Sequence, residues 1–141
     1  MKLNVTSQYA IRVIGLISEL NRICNAKELS LQLNIPYKYL TKIMNELVKA
    51  GLILSTRGRE GGYTLAKEPS KIRILDVLDA VHENIENNEC ILGIGVCCEN
   101  GQCALHDSWI ERKQSLIKMF KEQTVENFYY KDNEKKICLK R

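Results

Sequence analysis

Residues 52–65 contain two short apolar runs, Leu52-Ile53-Leu54-Ser55 and Tyr63-Thr64-Leu65, separated by the loop Arg57-Gly58-Arg59-Glu60-Gly61-Gly62. Few local structures suit such a segment. Apolar and aromatic residues around a glycine-bearing tip predict an antiparallel hairpin, and the glycines supply the backbone freedom a tight turn demands. Gly51 lies just upstream, where a helical segment has to stop. The hairpin therefore folds against a helix end, and the expected class is mainly α with a small β wing.

The upstream periodicity supports that architecture. Ala10, Val13, Ile14, Ile17 and Leu20 recur at helical spacing from Thr6 to about Leu20, with Thr6 or Ser7 as the expected N-cap. Asn25-Ala26-Lys27-Glu28 places a capping asparagine three residues before a glutamate and opens a short helix through Leu29 and Leu33, ending at Asn34. Pro36 suits the first turn of the next helix, which runs to Ala50 with Leu40, Ile43, Leu47 and Val48 as its core stripe. Two short helices joined by a tight turn make a helix-turn-helix, and the following hairpin makes it winged.

On this reading the start of the second helix enters the major groove of double-stranded DNA. Lys38, Thr41 and Lys42 rank first as contacts, followed by Tyr37 and Tyr39, for which packing against neighbours is an equal explanation. At the wing, Arg57 and Arg59 suit a narrow minor groove or the backbone, while Gly58, Gly61 and Gly62 allow close approach to phosphate. The charge distribution agrees. Residues 1–73 carry 12 Lys/Arg against 5 Asp/Glu, and the remainder 9 against 12, within a net charge of +4. A basic front half suits a polyanion. An ordinary surface hairpin on a helical domain explains fewer of these coincidences.

At 141 residues the chain has room for one compact domain and an appended dimerising element. No apolar h-region follows Met1 and no stretch reaches membrane-spanning length, so the expected location is the reducing cytoplasm. There, clustered cysteines bind metal or react more often than they form permanent disulfides. After Pro69, Ile72, Ile74, Leu75, Leu78 and Val81 predict a short helix to about His82, closing a DNA-binding domain of residues 1–82. His82 reads as a solvated helix-end histidine.

The loop 83–103 holds Cys90, Cys97, Cys98 and Cys103, and His106 follows. The spacing is Cys-x6-Cys-x5-Cys-x2-His through Cys97, or Cys-x7-Cys-x4-Cys-x2-His through Cys98. Structural zinc sites favour Cys-x2-4-Cys knuckles, whereas wide spacing on a long loop suits an iron-sulfur cluster. Zinc, or thiols without metal and His106 merely capping the next helix, are the alternatives. Cys24 reads as a small core hydrophobe at the end of the first helix, and Cys138 as an exposed thiol. Residues 104–122 form a further predicted helix. Its stripe Leu105, Trp109, Leu116 and Phe120, widened by Ile110, Ile117 and Met119, asks for a homodimer partner. Residues 123–141 read as a lysine-bearing tail.

The segments Tyr9-Ala10-Ile11-Arg12, Ile35-Pro36-Tyr37-Lys38-Tyr39-Leu40 and Arg57-Gly58-Arg59-Glu60-Gly61-Gly62-Tyr63-Thr64-Leu65-Ala66 together resemble the Rrf-type winged-helix transcription regulators, the IscR/NsrR family. The resemblance runs from Met1 to about Glu122. It implies a cytoplasmic homodimer that crosses long C-terminal helices, reads a palindromic operator and holds an iron-sulfur cluster, [2Fe-2S] favoured over [4Fe-4S]. It also implies Cys90, Cys97 or Cys98, and Cys103 as thiolate ligands, with His106 as the fourth. Gln8 stands where the nitric-oxide-sensing branch has an aspartate, and the vicinal Cys97-Cys98 pair departs from the usual spacing. A zinc or thiol/disulfide switch in the same regulator is the chief rival. An enzyme using Cys97 or Cys98 with His106 as base ranks last, since no substrate pocket, phosphate loop or acid-base pair accompanies it.

Overall fold

The computed structural model describes residues 3–87, 89–92, 94–97 and 103–128. Cys98, Cys138 and the lysine-bearing tail beyond 128 lie outside these residues. The first helix, α1 (Val5–Leu20), is central. It touches α2 (Ala26–Leu33), α3 (Tyr37–Lys49), α4 (Ile74–Ala80), the second wing strand and the 3-10 turn Val125–Phe128. Contact on so many sides buries Ser7, Ala10, Val13, Ile14, Gly15, Leu16, Ile17 and Ser18.

The N-cap of α1 is Asn4, whose side chain accepts the Ser7 amide proton at 2.8 Å. The expected caps, Thr6 and Ser7, use their hydroxyls elsewhere: Thr6 bonds the Tyr39 hydroxyl, and buried Ser7 donates to Glu83. Asn21 ends α1 and Asn34 ends α2, both left-handed, at φ 48° and 53°. Asparagine tolerates that region better than most residues with a side chain. Asn25 caps α2 through the Glu28 amide at 2.8 Å, while the Glu28 carboxylate turns to Arg22 instead of completing a capping box.

Pro36 occupies the N-cap position of α3, one residue before the helix proper. The buried face of α3 is Leu40, Ile43, Met44 and Leu47. Met44 takes the place expected for Val48, because the i, i+3, i+4, i+7 pattern from Leu40 reaches Met44 and leaves half-buried Val48 at the margin.

Strands β1 (Ile53–Thr56) and β2 (Gly62–Leu65) pair antiparallel, in the register Ile53 with Leu65 and Thr56 with Gly62. Leu52 extends the pairing on one side only: its carbonyl accepts from the Ala66 amide at 3.0 Å, while its own amide donates to the Leu47 carbonyl of α3 at 3.1 Å. Cys24 adds a bridge to the outer side of this wing: its amide bonds the Tyr63 carbonyl at 3.0 Å, and the Tyr63 amide bonds its carbonyl at 2.8 Å. It is core, as expected, but past the end of α1. A Cβ on Gly62 would lie 2.5 Å from the Cys24 carbonyl oxygen, and one on Gly61 2.2 Å from that of Thr56.

α4 begins after the 3-10 turn Pro69–Lys71 and ends at Ala80, two residues earlier than expected, because His82 adopts φ 63°. α5 (His106–Glu122) packs against α4 yet has no fully buried residue. Beyond it the chain is stitched back onto the segment that leads into α4. Ile74 donates to the Gln123 carbonyl and Val125 to the Ile72 carbonyl, each at 2.9 Å, and Val125 is fully buried. The start of the expected tail is therefore core. No helix among the described residues is long and apolar enough to cross a membrane.

The contact at Gly62 gives a direct test. Gly62→Ala forces its methyl against the Cys24 backbone and is expected to destabilise the fold by about 1–3 kcal/mol in urea unfolding. An unchanged unfolding midpoint would contradict this placement of Cys24 against the wing.

Candidate nucleic-acid interface and cysteine site

The solvent side of α3 is basic. Lys38 and Lys42 are exposed, Tyr37 is 54% exposed, and Thr41 is half-buried. The Thr41 hydroxyl donates back to the Lys38 carbonyl at 2.9 Å, which leaves its oxygen free to accept. Tyr39 is a packing residue. Its ring meets Tyr9 edge-on at 5.5 Å, its hydroxyl bonds Thr6, and Arg12 stacks 4.9 Å from the Tyr9 centroid. Of the two tyrosines for which packing and contact were equal explanations, Tyr37 is the one that remains exposed. Asn45, also exposed and four residues after Thr41, shares this side of the helix and carries no charge to mark it in the sequence.

At the wing tip Arg57, Gly58 and Arg59 are exposed, while Gly61 and Gly62 are half-buried. The Gly61 amide closes the tip on the Gly58 carbonyl at 3.0 Å. Gly61 and Gly62 thus have a structural reason of their own, whereas Gly58, at φ 115°, has open space where a Cβ would stand. Among the described residues neither Arg57 nor Arg59 has an ion pair. Arg22 differs: it clasps Glu28, and the hydrogen bond from Arg22 holds the Glu28 carboxyl below the usual carboxylate range.

The cysteine site is only partly assembled among the described residues. Cys97 Sγ lies 3.6 Å from His106 Nδ1, at the first turn of α5, and the His106 amide bonds the Cys103 carbonyl at 3.1 Å. Cys103 is exposed, and Cys90 and Cys97 are half-buried. The Cys90 amide donates to Gly95 at 2.8 Å, Glu89 bridges Val96, and the Leu92 amide donates to Cys90 Sγ at 3.4 Å. Among the described residues no three Cys, His, Asp or Glu side chains converge on one metal position. The donor chemistry nevertheless fits an iron-sulfur or zinc centre: thiols with an imidazole at one end of a loop, one sulfur already accepting an amide hydrogen bond of the kind that tunes such centres. Cys24 stands apart. Burial, followed by the nearby Glu28 carboxylate, pushes its thiol above the usual range, as suits an inert core residue.

Residues 82–87 connect the two regions. Glu83 accepts from Ser7 Oγ at 2.6 Å and from the Asn4 amide at 3.4 Å. The exposed His82 lies outside the cysteine site, with Nε2 3.1 Å from Glu46 Oε2 on α3. On the other side Lys113 of α5 donates to the Asn87 carbonyl, and Lys121 pairs with Glu86 at 3.0 Å. Along α5, Leu105 just before the helix is 51% exposed, and Trp109, Leu116 and Phe120 are half-buried, Phe120 against the core.

Comparison with known proteins places this architecture. The HTH-type transcriptional regulator NsrR of Shouchella clausii is 28% identical over 142 residues, covering 99% of this chain and 95% of that protein. The regulator IscR of Klebsiella pneumoniae is 32% identical over 119 residues, covering 82% and 72%. Among solved structures, CymR, the global cysteine regulator of B. subtilis, superposes with a TM-score of 0.77 at 23% identity, covering 89% of this chain and 94% of that one. IscR of T. potens superposes with a TM-score of 0.69 at 22% identity, covering 89% and 84%. At such identity these two structures establish the fold alone. The relatives are regulators, not enzymes. A family model described as the Rrf2 iron-dependent transcriptional regulators matches residues 3–131, and the chain belongs to that family.

Proposed function

We propose that this transcriptional regulator binds a palindromic DNA operator as a homodimer, most simply as a repressor, and that an iron-sulfur cluster held by the 83–106 segment controls its affinity. The observation that carries the control site is the approach of Cys97 to His106 at the foot of α5. Cys90, Cys97 or Cys98, and Cys103 supply thiolates, and His106 the imidazole. When bound, a cluster offers a reversible change of charge and redox state. A [2Fe-2S] centre suits the mixed thiolate and imidazole set.

The protein's own residues do the remaining work. Lys38 and Lys42 neutralise phosphate beside the major groove, with Tyr37 and Thr41 on the same helix, and Arg57 and Arg59 extend contact to the flanking groove. Ligation ties Cys90, Cys97 and Cys103 to the foot of α5, and the bonds of residues 82–87 to α1, α3 and α5 carry the change to the DNA face. The apolar side of α5, from Leu105 through Trp109 and Leu116 to Met119, gains burial from a second copy. The relatives named NsrR and IscR, and the iron-dependent family description, support this reading.

Protein purified without oxygen is expected to be coloured, with equal iron and acid-labile sulfide. Cys90→Ser and Cys103→Ser should abolish the visible absorption, only one of Cys97→Ser and Cys98→Ser should do so, and Cys138→Ser should keep it. Colourless protein that refuses reconstitution would transfer the proposal to a zinc or thiol/disulfide switch in the same loop. For the DNA face, Arg57→Ala is expected to weaken operator binding about tenfold and to reduce its salt dependence. Equal affinity would remove the wing tip from the interface.

A further inference from the structure

The core face of α3 fixes which side chains stand opposite it. At about 100° per residue, Lys38, Asn45 and Lys49 fall within about 40° of one another, nearly diametrically opposite the buried Leu40, Ile43, Met44 and Leu47. Along the helix axis Asn45 falls between Lys38 and Lys49, at one edge of this strip. It is exposed, and it has no hydrogen-bond partner among the described residues.

Its neighbours are committed differently. Glu46 is engaged by His82 at 3.1 Å and Lys49 at 3.8 Å, Tyr39 by Thr6 and Tyr9, and the Thr41 hydroxyl proton by the Lys38 carbonyl. Lys38 and Lys42 are point charges suited to phosphate. Asn45 presents a donor and an acceptor on separate atoms of one planar amide, unlike the single hydroxyl of exposed Tyr37, and that is the pattern that matches the N7 and N6 edge of adenine in the major groove.

We propose that Asn45 is a specificity-determining residue that reads an A·T base pair through its side-chain amide, beside Lys38 and Lys42, which hold the flanking phosphates. This rests on the DNA-binding reading above and sharpens it. Phosphate-bound lysines set affinity for any duplex, and Asn45 selects among duplexes.

The test selects preferred duplexes from a random library with the full-length wild-type protein, then measures affinity for that site and its single A·T to G·C variants. Wild type is expected to lose about 5- to 100-fold at one A·T position. Asn45→Ala should lose that discrimination while keeping the preferences at other positions, its helix content and its weak binding to unrelated DNA. Alanine is the better helix former, so the variant should fold. Discrimination unchanged in Asn45→Ala, or a uniform loss on every duplex, would overturn the assignment. Failure of wild type to enrich any sequence would overturn the DNA-binding reading on which it stands.

Discussion

Burial of α1 on nearly all sides is the constraint on which the rest of the molecule depends. Because α2, α3, α4, the wing and the turn after α5 all rest on it, none can shift without disturbing side chains such as Ile14 and Ile17. Close-packed interiors transmit such displacement rather than absorb it. The fit also explains why the polar Ser7 is tolerated inside: its hydroxyl is paired with Glu83. A helix that would otherwise be a passive strut thus connects the DNA face to the segment leading into the cysteine loop.

Magnitudes distinguish the contacts along that route. Lys121–Glu86 and His82–Glu46 are exposed, and pairs of that kind are worth about 0–1 kcal/mol. The Ser7–Glu83 hydrogen bond involves a buried hydroxyl and a carboxylate, a combination worth about 1.5–3 kcal/mol. It is the stronger element of the joint. Its size is of the order of a typical coupling between sites, about 1–3 kcal/mol. Under the proposed control, a rearrangement of residues 82–87 that alters this bond is of the size regulation needs, with the winged helix kept intact.

Local patterns made much of the fold legible. Asn25, Asn34 and Gly51 mark helix ends through short-range chemistry, and the glycine-bearing tip announces the hairpin. The features that escaped the sequence depend on distant partners. Asn4 caps α1 because Thr6 and Ser7 are drawn to Tyr39 and Glu83, and Cys24 pairs with Tyr63 through backbone alone. Val125 is held in the core by a main-chain bond to Ile72 that no periodicity signals. In the candidate site, the join of Cys97 and His106 follows from a loop folding back on a helix start. The cysteine spacing points to a thiolate centre without giving that approach, and Asn45 carries no charge to set it apart from the lysines beside it.

The most direct test of the account is the affinity of one operator duplex for the iron-loaded protein and for the same preparation after iron removal, at fixed salt. A difference of about 5- to 150-fold, diminished in Ser7→Ala, is the predicted result. Identical affinities for loaded and depleted protein would contradict control of DNA binding by the cysteine loop.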